Sequence, residues 1–297
     1  MVAADFFSSE QLTRLAQNAE QAGFDNLWVP EMFGRDPFVT CATLLSATQT
    51  IQVGTAITNV YARDERAIKA AAYSLAESSG HRFELGLGVS NKVGNDQRGL
   101  PWIAPVKKLH AFLDRYEATE LMFDHGDKKV PMYLAAHGPK LMQVAANRMD
   151  GAYVYMMPPE YSKQSKARIG DGKLHLMQPT VFETDPEVAR KYARRAVSIY
   201  MPLENYHRAW REAGFADEEF AGEGSDFFID TLIAWGDQAK ILERYALQRQ
   251  QGVDHIIISP VNLDVTADST WQQLRDVMAA AGGLIDGKTD CGRMGSG

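Results

Sequence analysis

The chain alternates between amphipathic helices and apolar runs, and four of the junctions between them share one pattern. At each junction an amphipathic helix is followed by a glycine, a short polar link and an apolar run. The four junctions span 15–30, 75–89, 144–157 and 246–260. Their glycines are predicted to adopt the left-handed conformation in which a helix can end. The apolar runs lack polar alternation, which is typical of parallel strands that are covered on both faces.

These four glycines are Gly23, Gly80, Gly151 and Gly252. The same reasoning predicts three further strands, at 51–57, 131–136 and 174–183. The first helix begins at Ser8-Ser9-Glu10-Gln11, which resembles a capping box. The predicted helices up to the sixth strand lie at about 9–22, 36–48, 64–79, 104–124, 138–148 and 159–168.

The segment 184–250 stands apart, because its pattern predicts helices and no strand. The predicted helices lie near 186–199, 203–213, 225–235 and 237–250. Seven strands that alternate with helices favour a parallel α/β barrel, and no GxGxxG follows a strand, which disfavours a doubly wound dinucleotide-binding sheet. We therefore predict one barrel domain over 1–281 with a helical insertion at about 184–250, and a mobile tail over 282–297.

Composition narrows the class of protein. The 297 residues are 45% apolar, and the net charge of −7 disfavours nucleic acid as a partner, since phosphate binding needs a basic face. No apolar run has the length of a membrane helix, so no membrane contact is expected. Cys41 and Cys291, the two cysteines, indicate neither a disulfide framework nor a zinc site, which makes the cytoplasm the expected location.

In a barrel, function is carried by the loops at the carboxyl ends of the strands. The strand at 51–57 runs into Thr58, Asn59 and Tyr61, a polar exit without glycine that suggests a binding loop. The turn 137–140, His-Gly-Pro-Lys, could expose helix amides to an anion, or could be an ordinary turn with an exposed lysine. The glycine-rich stretch 86–96 could contact phosphate, although close strand packing also selects glycine.

Several stretches in consistent order resemble the bacterial luciferase-like superfamily, and more narrowly its branch that uses the deazaflavin coenzyme F420. They are LWVPExxGRDPF (27–38), VGTAITNVYARD (53–64), SGHRFELGLGVS (79–90), AAHGPKLMQVAANRMDGAYVY (135–155), GSDFFIDTLIAWGD (224–237) and QGVDHIIISP (251–260). The resemblance covers about residues 10–280. It implies a (β/α)8 barrel of the TIM type, a flavin or deazaflavin at its mouth, and a homodimer.

The resemblance also implies which residues would hold the cofactor. A non-prolyl cis peptide that supports the ring would fall at Ala56–Ile57, with Thr58 and Asn59 offering hydrogen bonds to the ring edge. Phosphate contacts would come from the turn 137–140 and from the loop at 90–91, which follows the strand that ends at residue 89. The implied phosphate contacts are His137, Gly138, Pro139, Lys140, Ser90 and Asn91.

Two features depart from the family pattern. Relatives that act as alcohol dehydrogenases carry a histidine after the acidic residue that matches Glu31, whereas this chain has Met32. Since acid–base catalysis needs a group that exchanges a proton, Glu31, Tyr61 and Tyr155 remain as the catalytic candidates. In addition, only MVAADFF precedes Ser8, so the first barrel strand is expected to be missing.

Four functions follow as alternatives. The first is hydride transfer between coenzyme F420 and a small-molecule substrate, and the second is an FMN-dependent monooxygenase fed by a separate reductase. The third is a non-catalytic flavin-binding barrel, and the fourth is a lyase that uses Lys92 as a Schiff base. Lys163, Lys166 and Arg168 could line a cationic exit for the acidic tail of coenzyme F420, although a solvated helix face explains them equally well.

Overall fold

The computed structural model describes Met1 and residues 4–285, without the side chains of 282–285. The strands alternate with helices as predicted. The strands are β1 Asn26–Val29, β2 Gln52–Thr55, β3 Thr58–Asn59, β4 Phe83–Gly88, β5 Met132–Ala135, β6 Gly151–Tyr155, β7 Lys173–Val181, β8 Ala234–Trp235 and β9 His255–Pro260. The helices are α1 Ser9–Gln21, α2 Pro37–Ser46, α3 Glu65–Ser78, α4 Lys92–Gln97, α5 Pro105–Ala118, α6 Pro139–Arg148, α7 Pro159–Ile169, α8 Pro186–Val197, α9 Glu204–Glu212, α10 Asp226–Leu232, α11 Gln238–Gln250 and α12 Asp268–Ile285. Single 3-10 turns lie at Ala4–Phe6 and Asp217–Phe220.

All strands are parallel and form one curved sheet in the order β1-β2-β4-β5-β6-β7, with β9 beside β7. The short strand β3 pairs with the end of β4, and β8 pairs with the end of β7. This is the predicted α/β barrel, with α8 to α11 forming the insertion before the last strand. None of the helices, as far as they are described, is long and apolar enough to cross a membrane.

The barrel wall has a gap between β1 and β9. β1 pairs with β2 and β9 with β7, and no described residue forms a strand between β1 and β9. At this gap the amino group of Met1 donates a hydrogen bond of 2.7 Å to the carbonyl oxygen of Ile258. The prediction that the first strand is missing is therefore confirmed for the described residues.

Helix α1 begins as its sequence predicts. Gln11 N donates to Ser8 Oγ at 3.2 Å, and Ser8 N donates to Gln11 Oε1 at 2.8 Å, which completes the capping box. The apolar stripe of the helix, which includes Leu12 and Leu15, is buried against the barrel. The outer face of the sheet and the helices thus share one continuous core.

Three predictions about elements were wrong. Gly151 does not end a helix: it is the first residue of β6, where a Cβ atom would lie 2.1 Å from the Lys173 carbonyl oxygen. The insertion contains one strand, β8, in place of the end of the helix predicted to 235. The helix predicted over 104–124 ends at Ala118. Helix α12 continues to Ile285, and the predicted mobile tail lies outside the described residues from 286 onward.

The inside of the barrel is aromatic and polar. Trp28, Tyr133, Tyr153 and His175 pack against one another with ring centroids 4.3 to 6.3 Å apart. Beside them Glu84 is only 7% exposed, and burial raises the pKa of its carboxyl group to about 7. A cavity of about 290 Å³ opens at the amino ends of the strands. It is lined by Asn26, Gln52, Glu84, Tyr133, Lys173, His175, Asp254 and His255.

Candidate functional site

The exit of β2 forms a bulge in the barrel wall at the carboxyl ends of the strands. The Ala56–Ile57 peptide is cis, as the family resemblance implied. Next to it, the Thr55 hydroxyl donates to the Gly86 carbonyl at 2.8 Å and accepts from the Gly86 amide at 3.0 Å. The side chain of Thr55 therefore takes part in strand pairing where the backbone bends away.

The glycines of the stretch 86–96 serve this bulge. A Cβ atom on Gly86 would lie 1.9 Å from the Thr55 carbonyl oxygen, and one on Gly88 would lie 2.6 Å from Ile57 Cγ1. No side chain fits at these distances, so the two glycines allow the close approach of β4. The packing interpretation thus accounts for both glycines without any ligand.

Glu31 lies next to the bulge with both carboxylate oxygens occupied. Oε2 accepts from the Asn59 amide at 3.0 Å and from Arg63 Nη1 at 2.8 Å, while Oε1 accepts from Arg98 Nη1 at 3.0 Å. The Glu31 amide in turn donates to the Ile57 carbonyl at 3.2 Å. Both oxygens of the Glu31 carboxylate are thus taken by donors from the bulge and from the end of α4, which favours an anchoring role for Glu31.

Thr58 and Asn59 are both buried at the bulge. The Asn59 side chain is fully engaged: its Nδ2 donates to Asn95 Oδ1 at 2.7 Å, and its Oδ1 accepts from the Tyr61 amide at 3.0 Å. The Thr58 hydroxyl, by contrast, is buried without a hydrogen-bond partner among the described residues. Of the two, Thr58 retains the capacity to bond a ligand.

Tyr61 is used by the loop that precedes α5. Its hydroxyl donates to the Ile103 carbonyl, and its ring stacks on Trp102 with centroids 5.2 Å apart. The side chain thereby attaches the segment 99–104 to the bulge. Its role as a catalytic candidate remains a prediction.

The loop after β4 leads into α4, a helix that the sequence did not predict. Ser90 has a φ of 54°, and Asn91 caps α4 by accepting from the Gly94 amide at 2.8 Å. Lys92, the Schiff-base candidate, forms an ion pair with Asp96 at 2.5 Å. Asn91 is thus committed to its own helix, while Ser90 stays a candidate phosphate contact.

The turn after β5 presents the amino terminus of α6 at the same end of the barrel. Gly138 has a φ of 80° and no described side chain caps the helix, whose first residue is Pro139. The Gly138 amide donates to the Tyr161 hydroxyl at 2.9 Å, and Lys140 is exposed in the first turn. An uncapped helix terminus with an adjacent lysine is a suitable anion site.

His137 faces this terminus as a neutral group. Burial lowers the pKa of its imidazole to about 4, so at neutral pH it offers hydrogen bonds and no charge. Its Nδ1 atom has no hydrogen-bond partner within the described part of the chain. The cationic part of the predicted phosphate site is therefore Lys140 alone.

Tyr155, at the end of β6, belongs to an aromatic series that the insertion completes. Ring centroids lie 5.2 Å apart for Tyr155 and Tyr200, 4.8 Å for Tyr200 and Tyr206, and 5.2 Å for Tyr206 and His137. Burial raises the pKa of Tyr155 well above its usual value, so the phenol stays protonated. The insertion thus forms one wall beside the anion site.

The structure brings the predicted residues to one end of the barrel but divides their roles. Ala56, Ile57 and Thr58 lie at the bulge, and the turn 137–140 lies at the same end. Sequence reasoning missed the partners that hold this end together: Arg63, Arg98, Asn95, Tyr200 and Tyr206. Their contacts join residues that are far apart in the chain, and a local sequence pattern does not show such contacts.

The predicted cationic exit is only partly formed. Lys166 pairs with Asp254 at 2.8 Å, and Arg168 Nη1 lies 2.6 Å from Glu212 Oε1. Within the described residues, no cluster of three or more metal-binding side chains occurs.

Comparisons with known proteins agree with this geometry. A family model described as luciferase-like monooxygenase matches residues 3–255. A Mycobacterium tuberculosis protein, whose name marks it as a candidate coenzyme F420-dependent oxidoreductase, is 35% identical over 89% of this chain and 92% of that protein. A 5,10-methylenetetrahydromethanopterin reductase of Methanolobus tindarius is 29% identical over 54% of this chain, and the match spans 55% of that protein.

Two solved structures share the fold. The coenzyme F420-dependent tetrahydromethanopterin reductase of Methanopyrus kandleri superposes with a TM-score of 0.73 at 15% identity, covering 93% of this chain and 96% of that one. The oxygenating constituent of 3,6-diketocamphane monooxygenase from Pseudomonas putida, in complex with FMN, gives 0.69 at 12% identity, covering 92% and 93%. At these identities the likeness concerns the fold alone.

Proposed function

Because the chain belongs to the luciferase-like monooxygenase family, we propose that it is an oxidoreductase that transfers a hydride between coenzyme F420 and a small organic substrate. The observation that carries the proposal is the pairing, at one end of the barrel, of a buried polar bulge with an uncapped helix terminus. The bulge suits a ring and the terminus suits a phosphate. The name of the M. tuberculosis relative supports the choice of coenzyme F420.

The residues of this site fit such a cofactor. The buried Thr58 hydroxyl, which has no partner among the described residues, is free to bond the ring edge, and Ile57 offers an apolar surface to its face. The amides of Lys140 and Leu141 in the first turn of α6 are available to the phosphate, and the Lys140 side chain adds a positive charge, whereas the Gly138 amide already donates to Tyr161. When bound, the deazaflavin itself supplies the hydride chemistry.

The protein's part is then to bind, orient and exclude water. The Glu31 carboxylate, through Arg63, Arg98 and the Asn59 amide, fixes the bulge relative to α4. Tyr155 and the tyrosines of the insertion cover the side of the mouth next to His137. The buried Tyr155 phenol, which stays protonated, would donate a hydrogen bond to the substrate, while Glu31, whose oxygens are both occupied, would anchor the bulge.

An FMN-dependent monooxygenase is the second candidate. It is favoured by the description of the family model, which names monooxygenases. FMN ends at its phosphate, whereas coenzyme F420 continues into an acidic tail that needs an open, cationic exit.

We further propose a homodimer located in the cytoplasm.

Cofactor capture tests the proposal. Purified protein is titrated with coenzyme F420 and with FMN at low and high salt, and both dissociation constants are measured by fluorescence. We expect tighter binding of coenzyme F420, with a preference that shrinks as salt screens the tail. Equal or reversed affinity at low salt would favour the monooxygenase, and no binding of either would refute the proposal.

A further inference from the structure

An ion pair from outside the predicted phosphate site reaches the amino terminus of α6. Arg168 Nη1, near the end of α7, lies 2.6 Å from Glu212 Oε1 of the insertion. The other oxygen, Glu212 Oε2, would lie 3.6 Å from a Cβ atom built on Gly138. A carboxylate of the chain itself therefore lies beside the helix terminus where a phosphate is expected.

The Tyr161 hydroxyl connects these groups. It is fully buried and accepts from the Gly138 amide at 2.9 Å. Burial raises the pKa of Tyr161 and the Glu212 charge raises it further, while Arg168 lowers it. Gly138, Tyr161, Arg168 and Glu212 thus form one polar group, which we call the α6 anion cluster.

Glu212 is held in this cluster by its partners and not by its own helix. It is the last residue of α9, where the helix dipole disfavours a negative charge. Its two attractions are Arg168 and the positive end of α6. The Arg168 Nη1 atom is buried and forms an ion pair with Glu212, so another anion at this position would compete with the Glu212 carboxylate.

We propose that Glu212 is a specificity-determining residue that occupies the anion cluster and disfavours a phosphate with two negative charges more than one with a single charge. This inference rests on the proposed function, because it concerns the phosphate of the same cofactor. The phosphate of FMN is a monoester that carries nearly two charges at neutral pH. The phosphate of coenzyme F420 is linked on both sides and carries one.

Coulomb repulsion predicts that Glu212 weakens the binding of the more highly charged phosphate. An incoming phosphate must displace the Glu212 carboxylate from Arg168 or accept its repulsion at close range, and either effect grows with the charge of the phosphate group itself. Riboflavin, which shares the ring of FMN but lacks the phosphate, should not respond to Glu212. The insertion would thereby contribute to the choice between two cofactors that share a tricyclic ring.

The test compares Glu212→Gln with a matched control, Glu218→Gln, which removes one exposed acid from the same insertion. Affinities for FMN, coenzyme F420, riboflavin and inorganic phosphate are measured for both variants and for the unmodified protein. We expect Glu212→Gln to tighten FMN about tenfold and coenzyme F420 about threefold, and to leave riboflavin unchanged. Inorganic phosphate should bind more tightly to this variant at pH 8.

Three results would overturn the inference: unchanged or weaker binding of FMN and phosphate to Glu212→Gln, equal gains for FMN and coenzyme F420, or the same gains with Glu218→Gln. Failure of the proposed function looks different. In that case neither flavin binds any variant, while inorganic phosphate still reports on Glu212.

Discussion

Replacing Glu84 by glutamine should change how the stability of the protein depends on pH. The Glu84 carboxyl has a pKa of about 7 in the folded chain, against an ordinary value of 4.5, because burial disfavours its charge. Lys173 partly offsets this shift and Asp150 adds to it. Between pH 4.5 and 7 the folded state holds a proton that the unfolded state has released, so Glu84 lowers stability as the pH rises through this range.

The magnitude follows from the two pKa values. At 1.36 kcal/mol per pKa unit, the ionised Glu84 side chain costs the folded state about 3 kcal/mol at pH 8. His175 and His255 act in the opposite direction, because burial lowers their pKa values to about 3 and about 4, and stability therefore falls below pH 6.5. The contribution of Glu84 is therefore measured as the difference in the free energy of unfolding between Glu84→Gln and the unmodified protein at each pH.

Urea denaturation at pH 5, 6, 7 and 8 measures this difference. We expect Glu84→Gln to gain about 2.5 kcal/mol relative to the unmodified protein between pH 5 and pH 8, because a small part of the effect is already present at pH 5. The exposed Glu77→Gln should show no such gain. If the free energies of Glu84→Gln and of the unmodified protein run parallel across this range, the carboxyl is not held protonated by burial and the reasoning fails.

Three further changes test the candidate site. Lys140→Ala should weaken cofactor binding by about 1–2 kcal/mol, the size of a charge-assisted hydrogen bond, and an affinity that does not change across a salt series would contradict this. Gly88→Ala should lower the free energy of unfolding by about 1–3 kcal/mol in urea, because the methyl group would press on the neighbouring isoleucine, whereas Gly94→Ala should cost less than about 1 kcal/mol. Glu31→Gln should cost about 1–2 kcal/mol in the same assay, because its partly exposed guanidinium partners lose the buried carboxylate that pairs with them, while the exposed Glu10→Gln should cost under about 0.5 kcal/mol. A Glu31→Gln variant of unchanged stability would contradict the anchoring role of Glu31.

Local signals in the sequence were enough to predict the strands and the first helix. The apolar runs without alternation correspond to strands covered on both faces, and the pairing of Ser8 with Gln11 confirmed the predicted cap. Gly151 was wrongly predicted to end a helix, because a glycine that follows a helix also suits a strand that passes close to a neighbouring backbone. Pattern alone does not separate these two needs.

The site was harder to predict because its bonds join distant parts of the chain. Arg98 contacts Glu31 across 67 positions, and Arg63 does so across 32. Neither contact leaves a periodic trace in the sequence, so the occupation of both Glu31 oxygens became visible only in the fold. Glu84 did leave a trace, since it is the one charged residue in the strand FELGLG.

The gap between β1 and β9 also determines where local opening of the sheet should begin. A strand paired on one side is released by breaking one ladder, whereas β5 or β6 must lose two. Among the strands, amide hydrogen exchange should therefore be fastest in β1 and β9, beside the gap, and slowest in β5 and β6, which are paired on both sides. Opening would begin at β1, which carries Trp28 into the barrel, so the fluorescence of that indole would respond before the rest of the sheet separates.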